Sequence, residues 1–286
     1  MVQPGSDKMI EIKNLSKKFN DFTAVNNIDL LIESGEFIGV LGPNGAGKTT
    51  IIKIITGLLK PTAGNVYING SLMNRNNKEI KGIMGIVPQY SNLDKELTVC
   101  ENLIFAAKLF RVENYRNKID ELLDFVELSD FKDRRTADLS GGMTRRLTIA
   151  KALINDPDII ILDEPTVGID INGRRKIWDI LKYLKSRNKT VLLTTHYIEE
   201  AEYLCSRVCL IDKGMIIQDS TSKHLKEQLG VYTVEHFDEE LKTVYRFFDS
   251  KKKALDYSAG IDSLNYTIRE TTLEDVFYNY TNRKVR

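Results

Sequence analysis

Short apolar runs alternate with amphipathic stretches along most of the chain. Glu36–Leu41, Ile159–Leu162 and Thr190–Thr194 are dominated by apolar residues, as is typical of strands buried on both faces of a parallel sheet. Between the last two runs, Asn172–Arg187 repeats its apolar positions with a helical period. Strands separated by helical crossovers predict an α/β fold built around a parallel sheet.

The remaining periodic segments add strands around this sheet and a helical insert. Further strands are predicted at Ile10–Leu15, Ile28–Ile32, Val66–Ile68 and Ile83–Val87, and further helices at Lys48–Leu59 and from Gly141 onward. The stretch Thr98–Asp138 has helical periodicity, with Leu103, Ala106 and Phe110 on one face. We therefore expect an all-helical insert that, with the helix after it, occupies about residues 98–155.

The periodic pattern of apolar and polar residues is weaker beyond Gly230. Here the expected elements are a strand at Val231–Glu235, a helix around Glu239–Phe248, a strand at Leu264–Arg269 and a helix at Leu273–Tyr280. These elements suit a small α+β appendage. The sequence thus predicts a main domain over 8–229 and an appendage over 230–286.

Charge and composition narrow the class of protein. The 41 basic and 40 acidic residues almost cancel, which gives no electrostatic reason to expect a nucleic-acid partner. No apolar run approaches the roughly 18–20 residues of a membrane span, and Met1–Lys8 lacks the apolar centre of a signal peptide. These features predict a cytoplasmic protein. Three scattered cysteines are too few for a disulfide framework, and we expect buried or half-buried thiols.

A glycine-rich turn carries the first chemical signal. Gly42–Thr49 fits the pattern G-x-x-x-x-G-K-[ST] directly after a strand and at the start of a helix, a context that argues against a chance match. Its N–H groups point inward at phosphate oxygens, Lys48 reaches the β- and γ-phosphates, and the Thr49 hydroxyl binds Mg²⁺. The predicted ATP-binding residues in this segment are Gly42, Pro43, Asn44, Gly45, Ala46, Gly47, Lys48, Thr49 and Thr50.

Two adjacent carboxylates form the second signal. Asp163 and Glu164 follow the buried run Ile159–Leu162, at the strand end where open α/β sheets bind ligands. We expect Asp163 to hold Mg²⁺, directly or through water, and Glu164 to act as the general base toward the attacking water. A solvated acidic strand end is the alternative, and the phosphate loop upstream argues against it.

A third motif points to a family. Leu139–Arg146 reads LSGGMTRR and resembles the LSGGQ-type signature of ABC ATPases, with Met143 in place of the usual glutamine. Ser140 also suits a helix N-cap, and a helix N-terminus is itself an anion site. The resemblance implies that Ser140 and Gly142 of one subunit bind the γ-phosphate held by Lys48 of a second copy, in a homodimer that encloses ATP.

Four further positions match that family. Gln89 resembles its glutamine loop, which senses Mg²⁺ and water, and His196 its switch histidine, which contacts the γ-phosphate. Asp170 resembles the loop that crosses the dimer contact. Phe19 resembles the aromatic residue that stacks on adenine, with Phe22 as a close competitor. The resemblance implies catalytic roles for Lys48, Gln89, Glu164 and His196, and Thr49, Gln89 and Asp163 as metal ligands.

The residues of these motifs most resemble those of the ATPases of ABC-2-type exporters, including the drug-resistance and nodulation-factor groups. The runs that carry this likeness are Ser140–Arg146, Thr194–Glu202 and Thr272–Phe277. The family implies a P-loop NTPase core with an antiparallel β subdomain, and a membrane permease that holds the protein at the inner face of the membrane. An importer ATPase and a soluble non-transport ABC ATPase are the alternatives. A single cassette without a long coiled coil argues against the latter.

Overall fold

A computed structural model describes residues 8–238, 240–261 and 266–281. The strands are β1 (Lys8–Phe19), β2 (Phe22–Glu33), β3 (Phe37–Leu41), β4 (Ala63–Ile68), β5 (Ser71–Leu72), β6 (Met84–Val87), β7 (Ile159–Asp163), β8 (Thr190–Thr195), β9 (Arg207–Asp212), β10 (Met215–Ser220), β11 (Tyr232–Phe237), β12 (Thr243–Phe248) and β13 (Tyr266–Glu270). The helices are α1 (Lys48–Ile55), α2 (Lys78–Gly82), α3 (Val99–Leu109), α4 (Tyr115–Phe125), α5 (Gly141–Ala152), α6 (Ile171–Ser186), α7 (Ile198–Leu204), α8 (Ser222–Leu229), α9 (Lys251–Ser258) and α10 (Leu273–Thr281). None of the helices in these ranges combines the length and apolarity of a membrane span.

The central sheet has the strand order β10-β9-β3-β8-β7-β6. The pairs β9–β3, β3–β8, β8–β7 and β7–β6 are parallel, and β10 is antiparallel to β9. Every residue of β3, β7 and β8 is buried, which confirms the strands predicted from the apolar runs. The register pairs Leu41 with Thr195 and Asp163 with Thr194, so the segments that follow β3, β7 and β8 emerge at one edge of the sheet.

A second sheet, in the order β2-β1-β4-β5, is antiparallel throughout. Its apolar side chains join those of α1 and the central sheet in one buried cluster, which includes Ile10, Ile32, Ile52 and Ile161. This sheet is the expected antiparallel β subdomain. It holds α1, and therefore the glycine-rich turn before α1, against the central sheet.

The predicted helical insert consists of α3, α4 and two 3₁₀ turns. Its first helix begins with a capping box: the Thr98 hydroxyl accepts a hydrogen bond from the Glu101 N–H (3.1 Å), and the Glu101 carboxylate accepts one from the Thr98 N–H (2.8 Å). Leu103 of α3 and Leu123 of α4 are buried in a cluster that also includes Leu147 of α5. The insert is therefore packed on the helix that carries the LSGG motif.

The appendage has a three-stranded antiparallel sheet, in the order β12-β11-β13. The prediction of a helix around Glu239–Phe248 is wrong, because Thr243–Phe248 forms the strand β12. Glu239 lies outside the described residues. Thr, Val, Tyr and Phe side chains favour the extended backbone, and β12 pairs with β11 along its whole length. The strand predicted at Leu264–Arg269 is observed at Tyr266–Glu270, with Leu264 also outside the described residues.

The last helix, α10, returns to the main domain. Its residues Leu273 and Val276 are buried in a cluster that includes Leu41, Val208 and Leu225. Asp275 at its start accepts hydrogen bonds from the Arg269 guanidinium (2.5 and 2.7 Å). Burial by itself raises the pKa of Asp275, but the hydrogen bonds from Arg269 and from Thr272, just before the helix, outweigh burial and hold this pKa below its usual value. The division at residues 229 and 230 stays a prediction.

The cysteines are free thiols, as expected. Cys209 is buried, and Cys100 and Cys205 are half-buried. Burial raises the pKa of the Cys205 and Cys209 thiols, which keeps them protonated and unreactive at neutral pH.

Candidate active site

The turn between β3 and α1 has a backbone that only glycine accommodates well. Gly45 and Gly47 have φ angles of 82° and 104°, in the left-handed region. A Cβ atom on Gly47 would lie 2.5 Å from the carbonyl oxygen of Ala24. Because α1 begins after Gly47, a residue without a side chain, the first N–H groups of the helix are suited to bind an anion.

Lys48 is buried within this turn. Its Nζ donates to the carbonyl oxygens of Gly42 (2.7 Å) and Pro43 (3.0 Å) and lies 3.2 Å from Glu164 Oε1. Burial lowers the pKa of Lys48, and the negative charge of Glu164 partly opposes this shift. The turn therefore holds a desolvated ammonium group directly against the second predicted carboxylate.

Asp163, the first carboxylate, is buried at the end of β7. Its Oδ1 accepts hydrogen bonds from Thr194 Oγ1 (2.6 Å) and from Thr49 Oγ1 (3.3 Å). The neighbouring strand β8 supplies Thr194, and the first turn of α1 supplies Thr49. The sheet register thus brings a hydroxyl and a carboxylate oxygen together from chain segments more than a hundred residues apart.

Glu164 is the point on which the predicted catalytic residues converge. Its φ of 47° is in the left-handed region, a conformation that costs a non-glycine residue about 1–3 kcal/mol and is frequent at functional sites. Gln89 Nε2 donates to Glu164 Oε2 (3.4 Å). His196 Nδ1 lies 3.3 Å from Oε1 but makes no aligned hydrogen bond. With Lys48, at the start of α1, three side chains from three separate chain segments surround one carboxylate.

Lys48, Gln89 and Glu164 border a cavity of about 390 Å³, whereas His196 and Asp163 do not line it. The predicted site residues that line it are Phe19, Asn44, Gly45, Gly47, Lys48, Thr49, Thr50, Gln89 and Glu164. Gly42 and Pro43 bind Lys48 through their carbonyl groups, and Ala46 is buried. The rings of Phe19 and Phe22 are both exposed and both line the cavity, so the choice of Phe19 as the adenine-stacking ring stays a prediction.

Ser140 and Gly142 do not line the same cavity. Ser140 is exposed and caps α5, since its Oγ accepts a hydrogen bond from the N–H of Met143 (3.3 Å). Asp170 is likewise exposed and caps α6 through the N–H of Gly173 (2.9 Å). Within one chain, the residues expected to act across a dimer contact are therefore at the surface.

Two buried charged residues next to the site were missed by sequence reasoning. Glu200 is fully buried on α7, where its Oε1 accepts hydrogen bonds from Thr166 Oγ1 (2.7 Å) and Trp178 Nε1 (3.1 Å). Burial raises its pKa, although these hydrogen bonds oppose the shift. The sequence offers one signal for a buried Glu200: it is four residues before Leu204 and so shares the apolar face of α7. Arg145, on α5, gives no comparable signal, because the residues it contacts are distant in the sequence.

Comparisons with known proteins agree with this geometry. Residues 25–167 match a family model described as ABC transporter. Over 97% of this chain and 99% of the relative, the sequence is 37% identical to Nod factor export ATP-binding protein I of Cupriavidus metallidurans. Among solved structures, a dimeric bacterial ABC transporter cassette is similar with a TM-score of 0.69 and 34% identity, over 74% of this chain and 98% of that chain.

A dimeric post-hydrolysis state of the same cassette, bound to ADP and Pi, is similar with a TM-score of 0.65 over the same shares of both chains. The family model matches the segment that contains the motifs, and the identity to a relative extends along nearly the whole chain. Both findings support the same family as the motifs, several of whose residues line one cavity. The chain therefore belongs to the ABC transporter family, and it is the ATPase subunit of such a transporter.

Proposed function

We propose that this chain energises an ABC-2-type membrane exporter by ATP-driven closure of a homodimer. The convergence of Lys48, Gln89 and His196 on Glu164, beside the glycine-rich turn, carries the hydrolytic part of this proposal. Export is supported by the relative of 37% identity, which is named for Nod factor export. No comparable observation favours an importer or a soluble non-transport ATPase.

In this mechanism Glu164 is the general base. ATP binds with its phosphates on the N–H groups of the glycine-rich turn, and Lys48 shifts its interaction from Glu164 Oε1 to the β- and γ-phosphates. The freed carboxylate then accepts a proton from the attacking water. Gln89 and His196, within 3.4 Å of the two oxygens of Glu164, orient this water and contact the γ-phosphate.

The donor set beside the turn fits Mg²⁺. Thr49 Oγ1 and Asp163 Oδ1 are 3.3 Å apart, and adjacent ligands of an octahedral Mg²⁺ at ~2.1 Å lie about 3 Å apart. Hydroxyl, carboxylate and amide oxygens are the donors that this ion prefers, so Thr49, Asp163 and Gln89 would hold it. Held there, Mg²⁺ would supply positive charge that offsets the negative charge of the phosphates. Thr194, hydrogen-bonded to the same Asp163 oxygen, keeps that carboxylate in place.

The second half of each ATP site comes from the other subunit. Ser140 and Gly142 lie at the exposed N-terminus of the twelve-residue helix α5, outside the cavity of their own chain. A helix N-terminus with small residues is suited to a phosphate group. Hydrolysis therefore requires a dimer, and a single chain in dilute solution is a slow enzyme.

Ser140→Arg tests this division of labour. The bulky cation blocks the surface that meets the partner's nucleotide, so turnover is expected to fall about tenfold or more while ATP affinity at Lys48 changes less than about twofold. Wild-type turnover per subunit should rise with protein concentration. The measurements are steady-state ATPase assays over a dilution series and ATP titration of each protein.

Thr221→Arg is the matched control. It also removes an exposed N-cap, that of α8, and adds the same charge, so it loses a similar cap energy of about 1 kcal/mol. This variant should retain wild-type turnover. A rate per subunit that is independent of concentration, together with an active Ser140→Arg protein, would show that each monomer is a complete enzyme.

The helical insert and the loop after β6 are proposed as the docking surface for the membrane permease. Tyr90 in that loop is 82% exposed, and Phe105 and Leu109, four residues apart on α3, are 61% and 69% exposed. Large apolar side chains left in water at neighbouring helical positions are typical of an interaction surface. A permease helix would cover them.

Site-specific crosslinking tests this surface. A photo-crosslinker at Tyr90 or Phe105, in the full chain in its native membrane, should capture an integral membrane protein identifiable by mass spectrometry. Leu241, equally apolar and exposed but in the appendage, is the matched control position and should capture none. Capture from Leu241 alone would contradict the proposed arrangement.

A further inference from the structure

Arg145 is a buried cation whose hydrogen bonds all go to backbone carbonyl groups next to the site. It lies on α5, five residues after Ser140, and its side chain is 7% exposed. Its Nε donates to the carbonyl oxygen of Pro165 (2.7 Å), one terminal nitrogen to that of Asp163 (2.9 Å) and the other to that of Pro88. The planar guanidinium thus joins three separate peptide groups.

The positions of these carbonyl groups relate Arg145 to the catalytic residues. Asp163 and Pro165 are the neighbours of Glu164 on either side, and Pro88 directly precedes Gln89. Glu164 has a strained left-handed backbone, which persists only where its surroundings fix it. Arg145 holds the peptide group that precedes this strained residue and the peptide group that follows Pro165. It also ties the start of the glutamine loop to them.

The chemistry requires an arginine. Burial lowers the pKa of the Arg145 guanidinium to about 10, which leaves it charged at neutral pH, and the charges of Asp163, Glu200 and Glu164 oppose the shift. A guanidinium presents several donors in a fixed plane, whereas a lysine has one nitrogen and cannot reach three separated carbonyl groups. A group needed only to fill space would not carry a buried charge, which costs several kcal/mol to desolvate.

We propose that Arg145 is a positioning residue for ATP hydrolysis. It fixes Glu164 and Gln89 relative to one another and ties both to α5, the helix whose exposed N-terminus carries Ser140. This inference rests on the proposed roles of Glu164 and Ser140.

Arg145→Gln and Arg145→Lys test the proposal in the full-length protein. Misplacement of a catalytic group by about 1 Å can cost about 100-fold in rate, so kcat of Arg145→Gln should fall at least about tenfold. The ATP dissociation constant should change less than about threefold, because the glycine-rich turn and Lys48 are untouched. Arg145→Lys, which keeps the charge but not the fork of donors, should lie between the wild type and Arg145→Gln in kcat.

Arg146 provides the matched control. It is the next residue, it is 8% exposed, and its guanidinium donates to the carbonyl groups of Val126 and Glu127 in the helical insert. Arg146→Gln and Arg146→Lys should lower the melting temperature by an amount similar to the Arg145 variants. Their kcat, measured below both melting transitions, should remain within about twofold of wild type.

Two results would overturn the proposal: a folded Arg145 variant with wild-type kcat, or an equal loss of kcat in the Arg146 variants. If Arg145→Gln does not fold, the kcat of Arg145→Lys is compared with that of the wild type and of Arg146→Lys, and the same two results would overturn the proposal. Glu164→Gln measured in parallel separates this inference from the proposed base. Full turnover in that variant removes Glu164 as the base, whereas a kcat loss confined to the Arg145 variants still assigns Arg145 to hydrolysis.

Discussion

Replacement of Glu164 by glutamine is expected to lower ATP turnover at least about 100-fold while ATP remains bound. The amide keeps the shape of the side chain but cannot accept the proton of the attacking water. Glutamine also removes a buried negative charge that lies 3.2 Å from Lys48, next to the proposed phosphate site, so the closed dimer should become more stable. The substitution leaves the proposed contacts of ATP with Lys48 and with the N–H groups of the glycine-rich turn unchanged, which is why we expect binding to persist.

Steady-state ATPase assays and size-exclusion chromatography measure the two effects. In the presence of ATP, the Glu164→Gln protein should elute as a dimer. Glu199→Gln is the control, because Glu199 is an exposed glutamate on α7, three residues from His196, and should keep its turnover within about twofold of wild type. Turnover close to wild type in Glu164→Gln would mean that another group accepts the proton.

Lys48→Ala should weaken ATP binding by ~10- to 100-fold and reduce turnover at least as much. A charge-assisted hydrogen bond contributes about 1.5–3 kcal/mol, and the buried Lys48 ammonium is the side-chain cation that we propose binds the phosphates. The change also leaves the buried carboxylate of Glu164 without the ammonium group that lies 3.2 Å from it.

Isothermal titration with ATP and steady-state kinetics measure these losses. Lys48→Met separates the effect of charge from that of volume, and both variants should behave alike if the charge is responsible. Lys53→Ala is the matched control: this lysine lies on the same helix, is exposed, and should be dispensable for both binding and turnover. Unchanged ATPase activity in Lys48→Ala would end the assignment of the turn as the ATP site.

Local patterns were enough to predict the central strands. The strands β3 and β7 are apolar at nearly every position, and β8 has an apolar centre, because helices or the second sheet cover both of their faces. Such runs are visible in the sequence. The same local patterns failed for β12. Leu241, Val244, Tyr245 and Phe248 are spaced as on one face of a helix, yet Thr243–Phe248 is a strand. Hydrogen bonding to β11, which depends on the tertiary structure, decided between the two periods.

By itself, the sequence determined the parts of this protein whose chemistry is local: the glycine-rich turn with Lys48, the acidic pair after β7 and the capped start of α5. Each depends on residues within a few positions of one another, and the backbone conformations they require favour particular residue types. Only the tertiary structure decided that Gln89 and His196 meet at Glu164 and that Arg145 binds the peptide groups around it. Those contacts depend on the order and register of strands far apart in the chain, since the pairing of β6 with β7 and of β7 with β8 brings the loops that carry Gln89, Glu164 and His196 to one edge of the sheet.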